Sequence, residues 1–289
     1  MADNRAKSPL LSAQFKAKVK QRKKQLGRPV SPDAELGDGN VVEDGAVVVY
    51  QSVTRLVTLH PGNIIKKSGR TVVLQEADAL RVAEAADLPV PHVYGTERTP
   101  DGRNCIILDY IQGQTLSDIW MDLTEAEKRA FARQLRAILE KMRSIPAPRA
   151  YIGDCKGERI YELRLRSTYT GPPCHSEAEF NTYLLNNLYE QTPHAIRRAL
   201  ARRQRTDHRV VLTHGDLGPH NIIVRDGRIV GLIDWESSGW YPEYWEYVKF
   251  LQRMVSHKGD WTAYMDDIFP REYLDELADY IALSKWQPL

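Results

Sequence analysis

From about residue 46 the chain alternates short apolar runs with breakers. "AVVVY", "RLVTL", "NIIKK" and "TVVL" follow one another, with "HPGN" and "KSGR" between them. Short runs rich in β-branched residues, punctuated by Gly, Pro and Asn, read as strands of hairpins or a meander. The next stretch, "QEADALRVAEAADL", changes to helical spacing and is stopped by Pro89 and Pro91. "PHVYGTERTPDGRNCIILDYI" then gives two more strands around a Pro-Asp-Gly turn. Residues 45–112 are therefore predicted to form a small antiparallel sheet carrying one helix.

Beyond about residue 117 the period becomes helical. Thr124 and Glu127 have the spacing of a capping box, and Phe131, Leu135, Ile138, Leu139 and Met142 mark one apolar face behind it. Ser176 and Glu179 repeat the device ahead of Phe180, Tyr183, Leu184 and Leu188. The predicted organisation is an N-terminal arm (1–40), a sheet-rich lobe (41–112), a hinge near 109–114 and a mainly helical lobe (113–289).

Composition narrows the class. A chain of 289 residues with 42% hydrophobic and 27% charged content can bury a core in each of two lobes. No apolar run approaches the roughly 18–20 residues of a membrane span. No long apolar segment follows the N-terminus, and Cys105, Cys155 and Cys174 are widely spaced with no CxxC. A reducing, cytoplasmic location is expected. The net charge of +2 is uneven: residues 1–30 hold nine Lys or Arg and one Asp, so they carry +8 and the remainder −6. In that basic arm Leu11, Phe15 and Val19 recur every four residues, the pattern of a short amphipathic helix. "IRRALARRQRTDHR" lacks interleaved aromatics and reads as a solvated helix face, so no nucleic-acid partner is expected.

The stretch "LTHGDLGPHNIIV" (Leu212–Val224) places two His, an Asp and an Asn between strand-like runs. "NIIV" and "RIVGLID" flank Asp226-Gly227, the centre of a tight turn. With Val224 opposite Ile229, Asn221 falls opposite Leu232 and Asp234 lies about 7 Å away on the diagonal. Asp216 arrives at the same end on the "HGDLGPH" loop. Oxygen donors gathered there suit a hard cation such as Mg²⁺. Phosphoryl transfer needs such an array: a carboxylate to orient the acceptor hydroxyl and further oxygens to hold Mg²⁺ on the phosphates. Asp216, Asn221 and Asp234 fit these roles. A metal-dependent hydrolase using His214, Asp216 and His220 is the rival, although the other histidines form no HxH or HExxH pair. A nucleotide-binding protein without catalysis predicts loss of one of the three oxygen-bearing residues, and all are present.

"HGDLGPHN" resembles the catalytic loop of the aminoglycoside phosphotransferase and choline kinase group, H-G-D-x-x-x-x-N, and "LIDWE" resembles its I-D-[FW]-E. "GPPCHSEAEFNTYL" and "SSGWYPEYWEYVKF" look like the fungal-type branch of that family. The resemblance covers roughly residues 45–255. It implies an α+β, bilobal protein-kinase-like fold with an antiparallel β-sheet N-lobe and a mainly helical C-lobe. It implies ATP and Mg²⁺ as cofactors, Asp216 as the catalytic carboxylate, and Asn221 and Asp234 as metal ligands. It also implies a lysine of "NIIKKSG" on the phosphates, with Glu76 as its partner. The family strand favours Lys66, while alternation alone leaves Lys66 and Lys67 open. "CIILDYIQGQTL" resembles the interlobe hinge, so the backbone of Asp109, Tyr110 and Ile111 is expected to bind adenine.

No GxGxxG, P-loop or Rossmann fingerprint is present, so the phosphate-covering loop is not identified. No A-P-E follows Asp234, which disfavours a protein substrate. Residues 240–289 hold nine Asp or Glu against five Lys or Arg. An acidic rim there favours a cationic acceptor bearing a hydroxyl, such as an amino alcohol or aminoglycoside. Trp235, Trp240, Tyr241 and Trp245 read as packing residues rather than a cation-stacking cage.

Overall fold

A computed structural model of the chain describes residues 45–148, 151–163, 168–252 and 260–287. The basic arm and its helical pattern lie outside these residues. Contacts divide the chain into two units: residues up to Val72 together with Thr96–Tyr110, and Val73–Gly95 together with Ile111 onward.

The first unit is built on a five-stranded sheet in the order β1-β2-β3-β5-β4, made of β1 (Val47–Gln51), β2 (Arg55–His60), β3 (Ile64–Gly69), β4 (Val93–Arg98) and β5 (Asn104–Asp109). β1–β2, β2–β3 and β3–β5 pair antiparallel, as the breakers between the runs predict. "TVVL" forms no strand. The backbone turns after β3, with the Val72 amide on Gly69 O, and helix α1 (Gln75–Ala85) begins at once. A four-residue apolar run cannot distinguish a strand from a buried link into a helix. By contacts α1 belongs to the second unit, where it packs against the single helical turn Trp235–Ser237.

The second unit holds the helices α2 (Leu116–Ile119), α3 (Glu125–Ser144), α4 (Glu177–Asn186), α5 (His194–Arg203), α6 (Trp245–Gln252), α7 (Met265–Ile268) and α8 (Leu274–Lys285). The capping box at α3 is complete: Thr124 Oγ1 accepts from the Glu127 amide and Glu127 Oε2 from the Thr124 amide. Phe131, Leu135, Leu139 and Met142 are buried, and Ile138 is half-buried. Burying side chains of this size stabilises by about 1.5–3 kcal/mol each. At α4 the device is half made. Ser176 caps the Glu179 amide, but the Glu179 carboxylate accepts from His175 instead. Arg197 of α5 donates to carbonyls at the C-terminal end of α4, so part of the arginine run serves helix capping.

Short strand pairs complete this unit: β7 (Ile160–Leu163) with β8 (Thr168–Gly171), β9 (Val210–Thr213) with β12 (Gly239–Pro242), and β10 (Ile222–Arg225) between β11 (Arg228–Leu232) and β6 (Gln114–Thr115). Gln134 of α3 pins the β10–β11 hairpin, donating to Gly227 O and accepting from the Ile229 amide, both at 3.0 Å. Trp235, Trp240, Tyr241 and Trp245 are buried among other aromatics, with Phe180 edge-on to Trp245, which is the packing role expected of them. Among the described residues no helix is long and apolar enough to cross a membrane, and the three cysteines are unpaired.

Candidate active site

The hairpin register departs from the simple expectation. Val224 does oppose Ile229, but a bulge between Ile223 and Val224 brings Ile222, not Asn221, opposite Leu232. Val230 is the extra residue. Next to it, a side chain at Gly231 would collide with Ile111. The bulge moves Asn221 one step along, so that its carbonyl accepts from the Ile233 amide at 3.0 Å. Asn221 therefore stands beside the residue that precedes Asp234, closer than the unbulged register allows.

Asp234 ends the strand with a left-handed backbone, φ 66° and ψ 58°. Such a conformation is uncommon outside glycine, although Asp tolerates it better than most residues. It turns the chain abruptly into Trp235–Ser237. There the carboxylates of Asp234, Glu236 and Glu76 come together, with one oxygen of each within 4.8 Å of the others. Glu76, in the first turn of α1, is buried. Glu236 was not singled out from the sequence, although its place two residues after Asp234 in "IDWE" is the signal that could have found it. Three carboxylates this close repel one another unless cations balance them.

Asp216 sits on the loop leaving β9, and its side chain is almost fully buried. Asn221 Nδ2 donates to Asp216 O at 2.8 Å and to Oδ2 at 3.2 Å. His220 Nε2 lies 3.9 Å from the same Oδ2. The loop is tight because Gly215 has φ +77°, and a Cβ there would lie 2.6 Å from Ser237 O. Only glycine fits that combination without strain.

His214 is committed on both nitrogens. Nδ1 accepts from the Asp216 amide at 3.2 Å, and Nε2 donates to Ile233 O at 3.1 Å. The ring is therefore neutral, with its proton on Nε2. Burial holds its pKa down to about 4, against the opposing pull of the Asp216 and Asp234 carboxylates. With no lone pair left over, His214 cannot ligate a metal, which removes the hydrolase reading. Its backbone is held as well: Ser238 Oγ donates to His214 O, and Glu246 accepts from the His214 amide at 2.6 Å and the Gly215 amide at 3.2 Å.

Lys67 is buried, on the sheet face shared with Val57 and Ile106. Lys66 points to the other face, is partly exposed, and lies 3.9 Å from Glu97. Asp109 ends β5, and the Tyr110 amide already donates to Asn63 O at 2.8 Å. Six of the nine acidic side chains of residues 240–289 have basic or histidine partners within the fold. Glu243 pairs with Arg209, Asp260 with Lys128, Asp267 with Arg129, Asp275 and Asp279 with Arg203, and Glu276 with His208. The charge count thus reflects, in part, pairing within the fold.

The α+β fold brings the Asp216 loop, Asn221 and Asp234 to one hairpin end, the arrangement expected of a kinase-like phosphotransferase. Residues 56–289 match the family model described as the phosphotransferase enzyme family, and the chain belongs to that family. It is similar to the aminoglycoside 3'-phosphotransferases of Enterococcus faecalis and Staphylococcus aureus, each 27% identical over 217 residues covering 70% of both chains. Its fold is that of a thermostable mutant of aminoglycoside phosphotransferase APH(4)-Ia in a ternary complex with ADP and hygromycin B (TM-score 0.58, 12% identity, 92% of this chain and 87% of that one). It also matches the type VIII aminoglycoside-3'-phosphotransferase (TM-score 0.55, 16% identity, 92% and 98%). The chain is thus a phosphotransferase by family.

Proposed function

We propose that this enzyme transfers the γ-phosphate of ATP to a hydroxyl of a small-molecule acceptor, with Mg²⁺ as cofactor. The observation that carries the reading is the pairing of Asp216 with Asn221 next to the Ile233–Asp234 turn. Asp216 orients the acceptor hydroxyl and takes its proton as the oxygen attacks phosphorus, while the nucleoside diphosphate leaves. The donor set is all oxygen, the neutral carboxamide of Asn221 with the carboxylates of Asp234, Glu76 and Glu236, which fits a hard divalent cation. Bound there, magnesium supplies charge neutralisation for the phosphate oxygens. Of the two candidate lysines we favour Lys67 for the phosphates, because Lys66 shares an exposed pair with Glu97. The backbone of Asp109, Tyr110 and Ile111 is the proposed adenine contact, the Tyr110 amide itself donating to Asn63 O. The relatives' names support an aminoglycoside-like acceptor, hydroxyl-bearing and cationic.

The test is a thermal-shift titration with ATP, with and without Mg²⁺, on the wild type and Asp234→Ala. A ligand at 100 times its Kd adds about 2.7 kcal/mol of stability. Stabilisation that requires Mg²⁺ and disappears in Asp234→Ala is expected. A wild type that no nucleotide stabilises overturns the proposal.

A further inference from the structure

Where β3 and β4 finish and β5 begins, the first unit holds a cleft of about 530 Å³. Arg70, Arg98, Arg103, Asp101 and Asn104 line it, together with two glycines. Three guanidiniums against one carboxylate leave a charge of +2 on the lining (3 − 1). The carboxylate is spent inside its own turn. Asp101 Oδ1 accepts from Thr99 Oγ1, and Oδ2 lies 2.6 Å from Arg103 Nε. The turn is rigid: the Gly102 amide donates to Thr99 O at 2.8 Å, the Thr99 amide to Arg103 O at 2.9 Å, and the Arg103 amide to Thr99 Oγ1 at 3.0 Å. Asn104 Nδ2 donates to Val72 O at 2.8 Å, so this side chain buttresses the wall and has no amine left for a ligand. Arg70 and Arg98 are exposed, and among the described residues neither has a carboxylate partner. The sheet order places β5 between β3 and β4. The two arginines therefore leave strand ends about 10 Å apart, two strand spacings, with Arg103 between them.

We propose that this cleft binds a soluble molecule bearing two linked phosphate groups, one on Arg70 and one on Arg98, with Arg103 between them. Like charges gathered on one rim are relieved by an anion. Planar guanidinium forks match phosphate oxygens two at a time, which a point-like ammonium does not. The spacing of the outer arginines suits two linked groups better than one. No apolar side chain lines the cleft, so nothing there enters a lipid layer, and the ligand is a soluble molecule rather than a headgroup. None of these residues belongs to the nucleotide or metal set assigned above. The site is therefore a second phosphate site, and it stands whether or not phosphotransfer occurs. Its place along the chain gives it reach: Arg70 follows Lys67 by three residues and precedes Glu76 by six. An occupant holds the segment that joins those two side chains.

Inorganic pyrophosphate, titrated without Mg²⁺ into the whole ¹⁵N-labelled chain, tests this. The amide signals of Arg70, Arg98 and Gly102 are expected to move and to saturate, and added NaCl to weaken the binding. Arg70→Gln and Arg98→Gln should each weaken it about tenfold or more, the scale of one charge-assisted pair. Both side chains are exposed, so Tm without ligand stays at the wild-type value. Sulfate, with a single anionic centre, binds less tightly than pyrophosphate. Shifts that grow without saturating overturn the proposal, as does an affinity that both variants leave unchanged. Shifts confined to the amides of Lys67, Asp216 and Asp234 put the anion in the proposed nucleotide site and overturn it as well. Sulfate that binds as tightly as pyrophosphate overturns the two-phosphate ligand.

Discussion

The side-chain amide of Asn221 donates twice to Asp216, to its main-chain oxygen at 2.8 Å and its carboxylate at 3.2 Å, and so ties the proposed metal ligand to the proposed base. Oδ1 is the oxygen left to meet a cation. Asn221→Asp replaces the donor with a second carboxylate against Asp216, which raises the proton affinity of the pair. Such a change is expected to lower kcat on the order of a hundredfold, and Asn221→Ala to raise the Mg²⁺ concentration needed for activity. Steady-state rates across a Mg²⁺ series check both.

Asp216→Ala removes the proposed general base. A loss of about 10²–10⁴ in kcat is expected for a general base, with ATP-dependent thermal stabilisation retained. If the variant keeps more than a tenth of wild-type activity, another residue is the base.

The two lysines can be separated. Lys67→Ala should raise KM for ATP several-fold, whereas Lys66→Ala should behave nearly as wild type, since an exposed pair such as Lys66–Glu97 contributes about 0–1 kcal/mol. Nucleotide titrations of both variants decide it, and the reverse order of effects returns the role to Lys66.

Gly215→Ala puts a methyl group on a backbone at φ +77° and within 2.6 Å of Ser237 O. Strain of this kind costs about 1–3 kcal/mol, and it falls on the residue before Asp216. A lower Tm together with a lower kcat is expected. A variant with unchanged Tm would falsify the tightness of this loop.

His214 and Glu246 give stability opposite dependences on pH. Glu246, raised from 4.5 to about 7, makes the folded state hold an extra proton in that window, so its contribution falls as pH rises. His214, lowered from 6.5 to about 4, makes the unfolded state hold the extra proton, so its contribution falls as pH falls through that window. Between 4.5 and 6.5 the two oppose each other. Glu246→Gln leaves only the histidine effect, and Tm should drop more steeply on acidification than in the wild type. Parallel Tm curves from pH 4.5 to 8 would contradict this.

Much of this enzyme is local in origin and so could be read along the chain. The strands of β1 to β3, the capped helix α3, and the grouping of Asp216, Asn221 and Asp234 around one hairpin follow from period, caps and turn residues, which act over a few positions. The family followed from the same motifs. What the tertiary structure decided involves distant partners or single-residue shifts. The bulge at Ile223–Val224 changed the register at Asn221, because which residue is extruded depends on what packs around the hairpin, here Ile111 against Gly231. The burial of Lys67 rather than Lys66 depends on which sheet face is covered. Much of the acidic tail, which composition made a rim for cations, is paired with arginines and a lysine from elsewhere in the chain. Glu246 became legible only when the fold brought α6 against the end of β9, since nothing near it in sequence tells a buried carboxylate which amides it will find.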